Sequence, residues 1–244
     1  MDISLNKFIS ETGFCSRREA DKLIETGRVT INSKVARKGN RVLENDMVKI
    51  DGQPLKMKPA PVYLMLNKPK GITCTTDLKD KTNIIDFINF KKRIFPIGRL
   101  DKLSEGLIFL TNDGDIVNKI LRAGNGHEKE YVVTVDKNID HEFIKKMSNG
   151  VSILGTVTKK CFVKQEGEKQ FRIILTQGLN RQIRRMCAAL GYKVTSLTRV
   201  RIMNVTLSGL GKGKWRFFSP KEITEINSMI ANSSKTADAE GMGE

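Results

Sequence analysis

An aspartate lies between two cations on a predicted turn with the sequence GRLDK: Asp101 has Arg99 two residues before it and Lys102 directly after it. The apolar run that follows, residues 106–111, predicts a buried strand. A carboxylate held just before such a strand is available to act on a substrate. Aspartate is also common in turns and at helix starts, where its side chain satisfies free backbone N–H groups. Asp101 alone therefore leaves both roles open.

A second group of candidate residues lies in NRQIRRM, residues 180–186. On a helix, at about 100° per residue, the apolar residues fall on one side and Arg181, Arg184 and Arg185 on the other. Arg184 lies at the edge between the two faces, which suits a partly buried guanidinium paired with a carboxylate in fixed geometry. Arg181 and Arg185 are equally compatible with exposed contacts to phosphate.

The net charge of +16 is unevenly distributed along the chain. The span from Gln170 to Pro220 contains ten lysines and arginines, Arg199 and Arg201 among them, and no acidic residue. A surface that is merely solvated would mix both signs, so this span favours a polyanionic partner. For a chain expected in the cytoplasm, that partner is nucleic acid.

Several other classes of protein are disfavoured. No apolar run approaches the roughly 20 residues that span a bilayer, and the N-terminal residues lack the pattern of a secretion signal. We therefore expect a cytoplasmic chain without a membrane partner. The four cysteines form no CxxC pair and are expected to be reduced, and neither His127 nor His141 has a partner at ligand or triad spacing. These patterns predict no metal site, and no glycine-rich phosphate loop is present.

The elements that must position these residues alternate between strands and helices from residue 62 onward. This order predicts an α+β fold built on a largely antiparallel sheet. The predicted strands are 63–66, a short strand ending at 76, 106–111, 131–135, 156–164 and 170–175, and the predicted helices are 83–90, 115–122 with Asp115 as its cap, and 140–149.

Residues 4–52 form a separate pattern of two short helices followed by short strands. Ser16 and Glu19 fit a capping box at the start of the second helix, which carries Arg17, Arg18 and Lys22 on its outer side. The order LNKFISETGFCSRREADKLIETGRVTINSKV resembles the S4 RNA-binding domain. The resemblance implies that these three cations dock on structured RNA through phosphate contacts, which position a protein without reading sequence.

Three further segments occur in order: GRLD before an apolar strand, EYVVTV at 130–135 and GLNRQIRRM at 178–186. Together they resemble the pseudouridine synthases of the RsuA type, in which an S4 domain at the front is typical. The segments PIGRLDKLSEGLIFLTNDGD, NKILRAGNGHEKEYVVTV and ILGTVTKKC are most similar to a branch of that family that modifies 23S ribosomal RNA and has been linked to tRNA. The resemblance covers nearly all of residues 4–230.

The resemblance implies an isomerase that breaks the bond between C1′ and N1 of a uridine, turns the uracil and rejoins it through C5. Reactant and product are isomers, so no cofactor or metal is required. Asp101 would be the catalytic carboxylate, either attacking the sugar or removing a sugar proton to give a glycal. Arg184 would hold that carboxylate in one rotamer. Tyr131 would pack on the uracil and offer its hydroxyl in the C5 proton step; without the resemblance it reads as an ordinary cross-strand aromatic residue.

The target uridine must be flipped out of folded RNA, at a cost of a few kcal/mol. Arg199 and Arg201, predicted on one face of a strand, would hold phosphates next to the flipped base, and Lys68 and Arg99 would do so from the loops beside Asp101. Each of these charges is also compatible with a solvated surface. The partner would be RNA, with neither DNA nor a membrane, and the chain would act as a monomer.

The sequence predicts an S4 domain at 1–52, a linker at 53–61, a catalytic domain at 62–231 and a disordered tail at 232–244. A non-catalytic S4-type protein that assists ribosome assembly is the competing interpretation. Asp101 distinguishes the two, because an acid inside a cationic groove repels phosphate and has no use in a binding protein. A methyltransferase is a weaker option, since no glycine-rich turn for its cofactor is present.

Overall fold

The structure is a computed structural model that describes residues 2–233. These residues form two compact units. The first comprises residues up to Val62 together with Lys91–Arg93 and Asn112–Gly114, and the second comprises the rest of the described chain. Of the tail predicted at 232–244, all but Asn232 and Ser233 lie outside the described residues.

Two helices and short strands form the first unit, as the sequence predicts. The Ser16 hydroxyl accepts the Glu19 N–H at 3.2 Å and the Glu19 carboxylate accepts the Ser16 N–H at 2.7 Å, which completes the predicted capping box. Asn32 and Ser33 have φ of +49° and +69°, the left-handed pair that a two-residue hairpin needs. The elements are β1 (Ile3–Ser4), α1 (Leu5–Glu11), α2 (Arg17–Glu25), β2 (Val29–Ile31), β3 (Lys34–Val35), β4 (Arg41–Val42), β5 (Val48–Ile50) and β6 (Gln53–Pro54).

The irregular connection at the end of this unit was predicted to begin at residue 53 and begins at residue 55. Gln53 and Pro54 form strand β6, in which Pro54 pairs with Lys49 of β5. Strand β6 lies at the edge of its sheet, where the N–H that proline lacks is not needed by a further strand. Residues 55–62 carry no regular structure.

A large mixed sheet organises the second unit; within the described residues it has nine strands. Its order is β13-β14-β10-β15-β9-β7-β17, with β16 paired to β15 and β8 to β9, and β11 pairs with β12 separately. The strands are β7 (Tyr63–Lys68), β8 (Phe95–Ile97), β9 (Glu105–Thr111), β10 (Lys129–Val135), β11 (Ser152–Ile153), β12 (Thr156–Val157), β13 (Phe162–Gly167), β14 (Gln170–Leu175), β15 (Val194–Ile202), β16 (Val205–Thr206) and β17 (Trp215–Phe217). The helices are α3 (Ile84–Ile88), α4 (Gly114–Leu121), a 3₁₀ turn (Ala123–Asn125), α5 (His141–Asn149), α6 (Gln182–Ala189) and α7 (Pro220–Met229).

The centre of the sheet contains a parallel pair, β9 beside β15, among antiparallel neighbours. Gly106 of β9 lies opposite Arg199 of β15 with φ +105°, and a Cβ at this glycine would lie 2.2 Å from the Arg199 carbonyl oxygen. Only glycine permits so close an approach of the two backbones. The start of β9, four residues after Asp101, is thereby fixed beside the middle of β15.

Two apolar cores stabilise this unit. One lies where α5 and α6 pack near β10, β14 and β15, and contains Phe143, Phe171, Met186 and Leu197. The other brings α4 and α7 together with β7 and β9. The amphipathic patterns predicted for the helices supply these cores. The prediction of an α+β fold with a largely antiparallel sheet is confirmed.

Two predicted strands differ from the structure. The short strand ending at residue 76 is absent; Thr73 forms only an isolated bridge with Asn83. The strand predicted over 156–164 is split into β12 and β13, and Thr158 between them is held by the Val151 carbonyl. Asp115 lies inside the first turn of α4 rather than before it. None of the helices within residues 2–233 has the length and apolar character needed to cross a bilayer.

Candidate active site

A cavity of about 490 Å³ lies in the second unit, where the turn before β9 meets β10, β15 and the start of α6. The predicted catalytic residues come from three separate elements and all line it. Charged and aromatic side chains in its lining include Asp101, Lys129, Tyr131, Arg181, Arg184 and Arg199.

The turn that carries Asp101 is held in place by its backbone. The Asp101 carbonyl accepts the Ser104 N–H at 2.9 Å, and the Lys102 carbonyl accepts the Gly71 N–H at 2.8 Å. The thiol of Cys74, whose pKa is raised by burial, accepts the Leu100 N–H at 3.4 Å. These contacts on both sides fix the position of Asp101, as a preorganised site requires.

Two guanidiniums approach the Asp101 carboxylate. Its Oδ2 lies 3.6 Å from Nε of Arg184 and 3.6 Å from Nη1 of Arg181. Both contacts are ion pairs whose distances exceed those of hydrogen bonds. Catalytic contacts in enzymes without substrate are often long and shorten when substrate binds. Burial lowers the pKa of Arg184, and the Asp101 carboxylate partly offsets this shift.

Arg184 does not form the forked pair with a carboxylate that its edge position predicted. Its Nη2 donates to the Ser104 hydroxyl at 3.1 Å and to the Leu103 carbonyl at 3.4 Å, and its Nη1 donates to the Val194 carbonyl at 3.4 Å. One guanidinium therefore contacts the turn that carries Asp101 as well as the carboxylate itself. The family resemblance named Arg184 as the partner of Asp101, and the sequence could not predict these backbone contacts.

Arg181 is a second partner of Asp101, whereas the sequence left it open as an exposed phosphate ligand. It is the N-cap of α6 and has φ +50° and ψ +37°, a left-handed conformation that costs a non-glycine residue on the order of 1–3 kcal/mol. Strain of this kind is found at functional sites, where the surrounding structure maintains it. Its side chain is exposed at the cavity mouth, as is Arg99.

Tyr131 and Arg199 are neighbours on adjacent strands. They are directly opposite in the β10–β15 register, and the Arg199 guanidinium carbon lies 6.0 Å from the centre of the Tyr131 ring. Only 4% of Arg199 is exposed. Its Nε donates to the Leu107 carbonyl at 2.7 Å, while its Nη2 is buried without a hydrogen-bond partner among the described residues.

Lys129 is a cavity residue that the sequence reasoning missed. It lies two residues before Tyr131 on β10 and shares its face of the sheet, and only 7% of it is exposed. Its ammonium donates to the His127 carbonyl at 2.9 Å. Burial and the neighbouring Arg199 lower the pKa of Lys129 to about 8. The signal was available, because a strand residue two positions from an inward tyrosine also points inward.

The prediction that Arg201 shares a face with Arg199 is wrong. The register of β15 against β10 shifts between Glu130 and Tyr131, and such a bulge turns the next side chain to the other face. Arg201 instead pairs with Glu130 at 2.6 Å and with Glu128 at 2.9 Å. Both carboxylates neutralise its guanidinium away from the cavity, so it is not the phosphate ligand that was predicted.

The predicted phosphate contact of Lys68 is also wrong. Its side chain is fully buried, and its ammonium donates to the carbonyls of Pro69 at 2.9 Å and Ile72 at 2.8 Å. Burial lowers the pKa of this lysine. Lys68 therefore holds the loop whose Gly71 contacts the Asp101 turn, and it is not a charge on a solvated surface either.

The remaining predicted cations lie at exposed positions. Arg185 donates from Nε to the Asn180 carbonyl at 3.0 Å and lies outside the cavity. In the first unit, the cations of α2 are all exposed, on the outer side predicted for this helix. These residues are Arg17, Arg18 and Lys22.

The two histidines and the tryptophan have structural positions. His127 is buried with its ring against the Ser233 hydroxyl at 2.9 Å, and His141 is the exposed first residue of α5. Trp215 packs edge-on against Phe90. All four cysteines are free thiols.

This arrangement joins one carboxylate, an aromatic ring and several cations around a space that admits a nucleobase with its sugar. A carboxylate in that position can attack a sugar carbon or remove a sugar proton. The ring offers a surface on which a base can pack. Cations on the walls can stabilise negative charge that develops during a reaction.

Comparison with known proteins defines the class. Residues 62–189 match the RNA pseudouridylate synthase family and residues 4–48 match the S4 domain. The dual-specificity RNA pseudouridine synthase RluF of Escherichia coli strain K12 is 59% identical over 234 residues, covering 95% of this chain and 81% of that protein. The ribosomal large subunit pseudouridine synthase B of Bacillus subtilis strain 168 is 35% identical over 234 residues, covering 92% and 96%.

A solved structure agrees with the sequence relatives. A crystal structure of a pseudouridylate synthase, 28% identical, superposes with a TM-score of 0.67 over 92% of this chain and 99% of that one. The chain belongs to the RNA pseudouridylate synthase family, with an S4 domain before the catalytic region. It is accordingly an isomerase that forms pseudouridine in RNA, and the prediction of this class is confirmed.

Proposed function

We propose that this enzyme isomerises a flipped uridine in the cavity beside Asp101. The observation that supports this most is the position of the Asp101 carboxylate, with Oδ2 3.6 Å from two guanidiniums on the wall of a cavity large enough for a nucleoside. A passive RNA-binding surface gains nothing from an acid there, because it repels the phosphates that the cations attract.

The residues around Asp101 have separate roles in this proposal. Arg184 orients the carboxylate and holds its turn through Ser104 and Leu103. Tyr131 packs on the uracil and takes part in removal of the C5 proton. Asp101 reacts at the sugar, by attack on C1′ or by removal of a sugar proton to give a glycal.

The RNA target follows from the relatives and from the charge. Relatives named as acting on the large ribosomal subunit and as having dual specificity favour 23S ribosomal RNA as the main substrate, with tRNA as a second. The exposed α2 cations Arg17, Arg18 and Lys22 would dock on the RNA. The enzyme would act as a monomer in the cytoplasm, without DNA or a membrane.

Replacing Asp101 tests the proposal. Asp101→Asn is nearly isosteric, so we expect pseudouridine formation, measured as tritium release from RNA labelled at uridine C5, to fall below detection. RNA affinity, measured by filter binding, should stay within a few fold. Mapping pseudouridines in ribosomal and transfer RNA from cells with and without the gene identifies the target.

Asp77→Asn is the matched control. Asp77 is an exposed aspartate of the same unit whose Oδ1 accepts the Lys79 N–H at 3.0 Å, a contact that asparagine keeps. It lies outside the cavity, so its substitution should leave tritium release unchanged. Retained activity in Asp101→Asn would exclude this carboxylate from the reaction and leave the passive binding role.

A further inference from the structure

The floor of the cavity contains two buried cations. Lys129 and Arg199 are 7% and 4% exposed, and they lie close enough for Arg199 to depress the pKa of Lys129. Each has one hydrogen bond to a backbone carbonyl, His127 and Leu107 respectively. Nη2 of Arg199 has no partner among the described residues.

No carboxylate within residues 2–233 forms an ion pair with either cation. Asp101, the acid of the cavity lining, is paired with Arg181 and Arg184. A buried charge without a counter-charge destabilises a fold unless hydrogen bonds satisfy it. The buried ammonium of Lys68 donates to two carbonyls, whereas Lys129 and Arg199 each have one such contact. Two adjacent unpaired cations therefore indicate that an electron-rich group of a ligand binds at the floor.

The reaction supplies such a group. When the bond between C1′ and N1 breaks, its electron pair stays on the uracil, and the resulting anion spreads its charge over N1, O2 and O4. C1′ is then bonded to the Asp101 carboxylate or becomes a glycal carbon after Asp101 takes a sugar proton. Later C5 bonds to C1′ as C1′ releases the Asp101 carboxylate or, on the glycal route, as Asp101 returns its proton to C2′. C5 then loses its proton and N1 regains one, so the balance closes without a co-reactant.

We infer that Lys129 and Arg199 bind the carbonyl oxygens of the detached uracil and stabilise its negative charge while the base turns. This inference rests on the proposed function. The Arg199 guanidinium carbon lies over the Tyr131 ring, 6.0 Å from its centre, so a base that packs on this ring lies next to Arg199. The pair acts as an anion hole whose charge is fixed before the reaction begins.

The phosphates of the RNA are expected elsewhere. The exposed cations of the cavity mouth, Arg99 and Arg181, suit groups that stay in contact with water. A phosphate at the floor would have to lose most of its hydration and displace the base from Tyr131. The interpretation of Arg199 as a phosphate ligand, which the sequence favoured, is therefore replaced.

Lys129→Met tests the inference, because methionine keeps the length of the side chain and removes the charge. We expect the single-turnover rate of tritium release to fall about 100-fold, the usual loss for one donor of an anion hole. RNA affinity and the slope of its salt dependence should stay as in the wild type, whereas loss of a phosphate contact would reduce that slope by about 1. Thermal unfolding should not occur at a lower temperature, since an unpaired buried charge is removed.

Two further variants make the test specific. Lys129→Arg should restore most of the rate because it restores a cation, and Lys164→Met, which removes an exposed charge from β13, should change nothing. If Lys129→Met does not fold, Arg199→Lys decides: it keeps the charge, and we expect a slower rate with unchanged RNA affinity.

The outcomes separate this inference from the proposed function. A near-normal rate in Lys129→Met, with Asp101→Asn inactive, overturns the anion hole alone. Activity in Asp101→Asn overturns the proposed function. Weaker RNA binding and a smaller salt slope in Lys129→Met would assign Lys129 to phosphate and also overturn the inference.

Discussion

The two faces of strands β10 and β15 use the same residue types in opposite ways. On the cavity face, Lys129 and Arg199 are buried, and no carboxylate of the described residues pairs with them. On the other face, Arg201 and Arg172 both pair with Glu130. The cavity face keeps its charge for a ligand, whereas the other face neutralises its charge and stabilises the fold.

The bulge between Glu130 and Tyr131 produces this difference. Because of this bulge, the side chains of Arg199 and Arg201 lie on opposite faces of the sheet, although the two residues are only two positions apart. Net charge and an acid-free span therefore indicate a polyanion without identifying the arginines that meet it. Of these two arginines, Arg199 is available to a ligand because Arg201 is paired with Glu128 and Glu130.

The largest expected effect comes from exchanging arginine for methionine on each face. Arg199→Met should lower the single-turnover rate by about 100- to 1,000-fold, since it removes one arm of the anion hole. Arg201→Met removes an equal charge and should leave that rate within a few fold, while lowering the unfolding temperature. Equal losses of rate in the two variants would remove the distinction between the faces.

A smaller effect is expected for Glu130→Gln, which tests the neutralised face. Replacing the carboxylate leaves two guanidiniums without their shared partner and should cost about 2 kcal/mol of unfolding free energy, measured by urea denaturation. Glu166→Gln, which removes a partner of Arg172 alone, should cost less than half as much. The rate of tritium release per folded molecule should stay normal in both.

The same variant has a defined pH dependence. Burial raises the pKa of Glu130, but the hydrogen bonds from Arg201 and Arg172 together lower it by more than burial raises it. The net pKa therefore lies below its usual value. Such a carboxyl group stabilises the fold above its unfolded pKa and loses this contribution as pH falls. The difference between wild type and Glu130→Gln should therefore shrink below about pH 4.3. A difference that is constant down to pH 3 would contradict the pairing.

The smallest effect on the rate is expected from the titration of Lys129. Its charged or titratable neighbours are Arg199 and His127. Other charged groups that line the same cavity are Asp101, Arg181 and Arg184. The Lys129 pKa of about 8 means that the ammonium is present below that pH and lost above it. The rate should fall about fourfold between pH 7 and 8.5. The Lys129→Arg variant stays charged and should show no such decrease, and a decrease of the same size there would assign it to another group.

The sequence predicted the fold class and many of the elements because their signals are local. Ser16 and Glu19 define a helix start by themselves, and the alternation of Gln170–Leu175 defines strand β14 with the same bounds. The side chains of Asp101, Tyr131 and Arg184 line one cavity, which spacing alone does not predict and the family resemblance did.

The remaining features depend on tertiary structure. A lysine at the end of an apolar strand, such as Lys68 of β7, is ordinarily solvated. Here the loop that follows supplies the two carbonyls that accept its hydrogen bonds. The bulge that separates Arg199 from Arg201 is a property of two paired strands and has no signature in either one. The unpaired state of Lys129 likewise depends on which acids the other strands bring near.

The structure of the Asp101→Asn variant bound to RNA that contains the target uridine tests the central claim most directly. We expect the uridine to be flipped into the cavity, with C1′ facing position 101, the uracil on Tyr131 and its carbonyl oxygens within hydrogen-bond distance of Lys129 and Arg199. A uridine still stacked in the RNA, or one whose uracil faces away from those two cations, would contradict it.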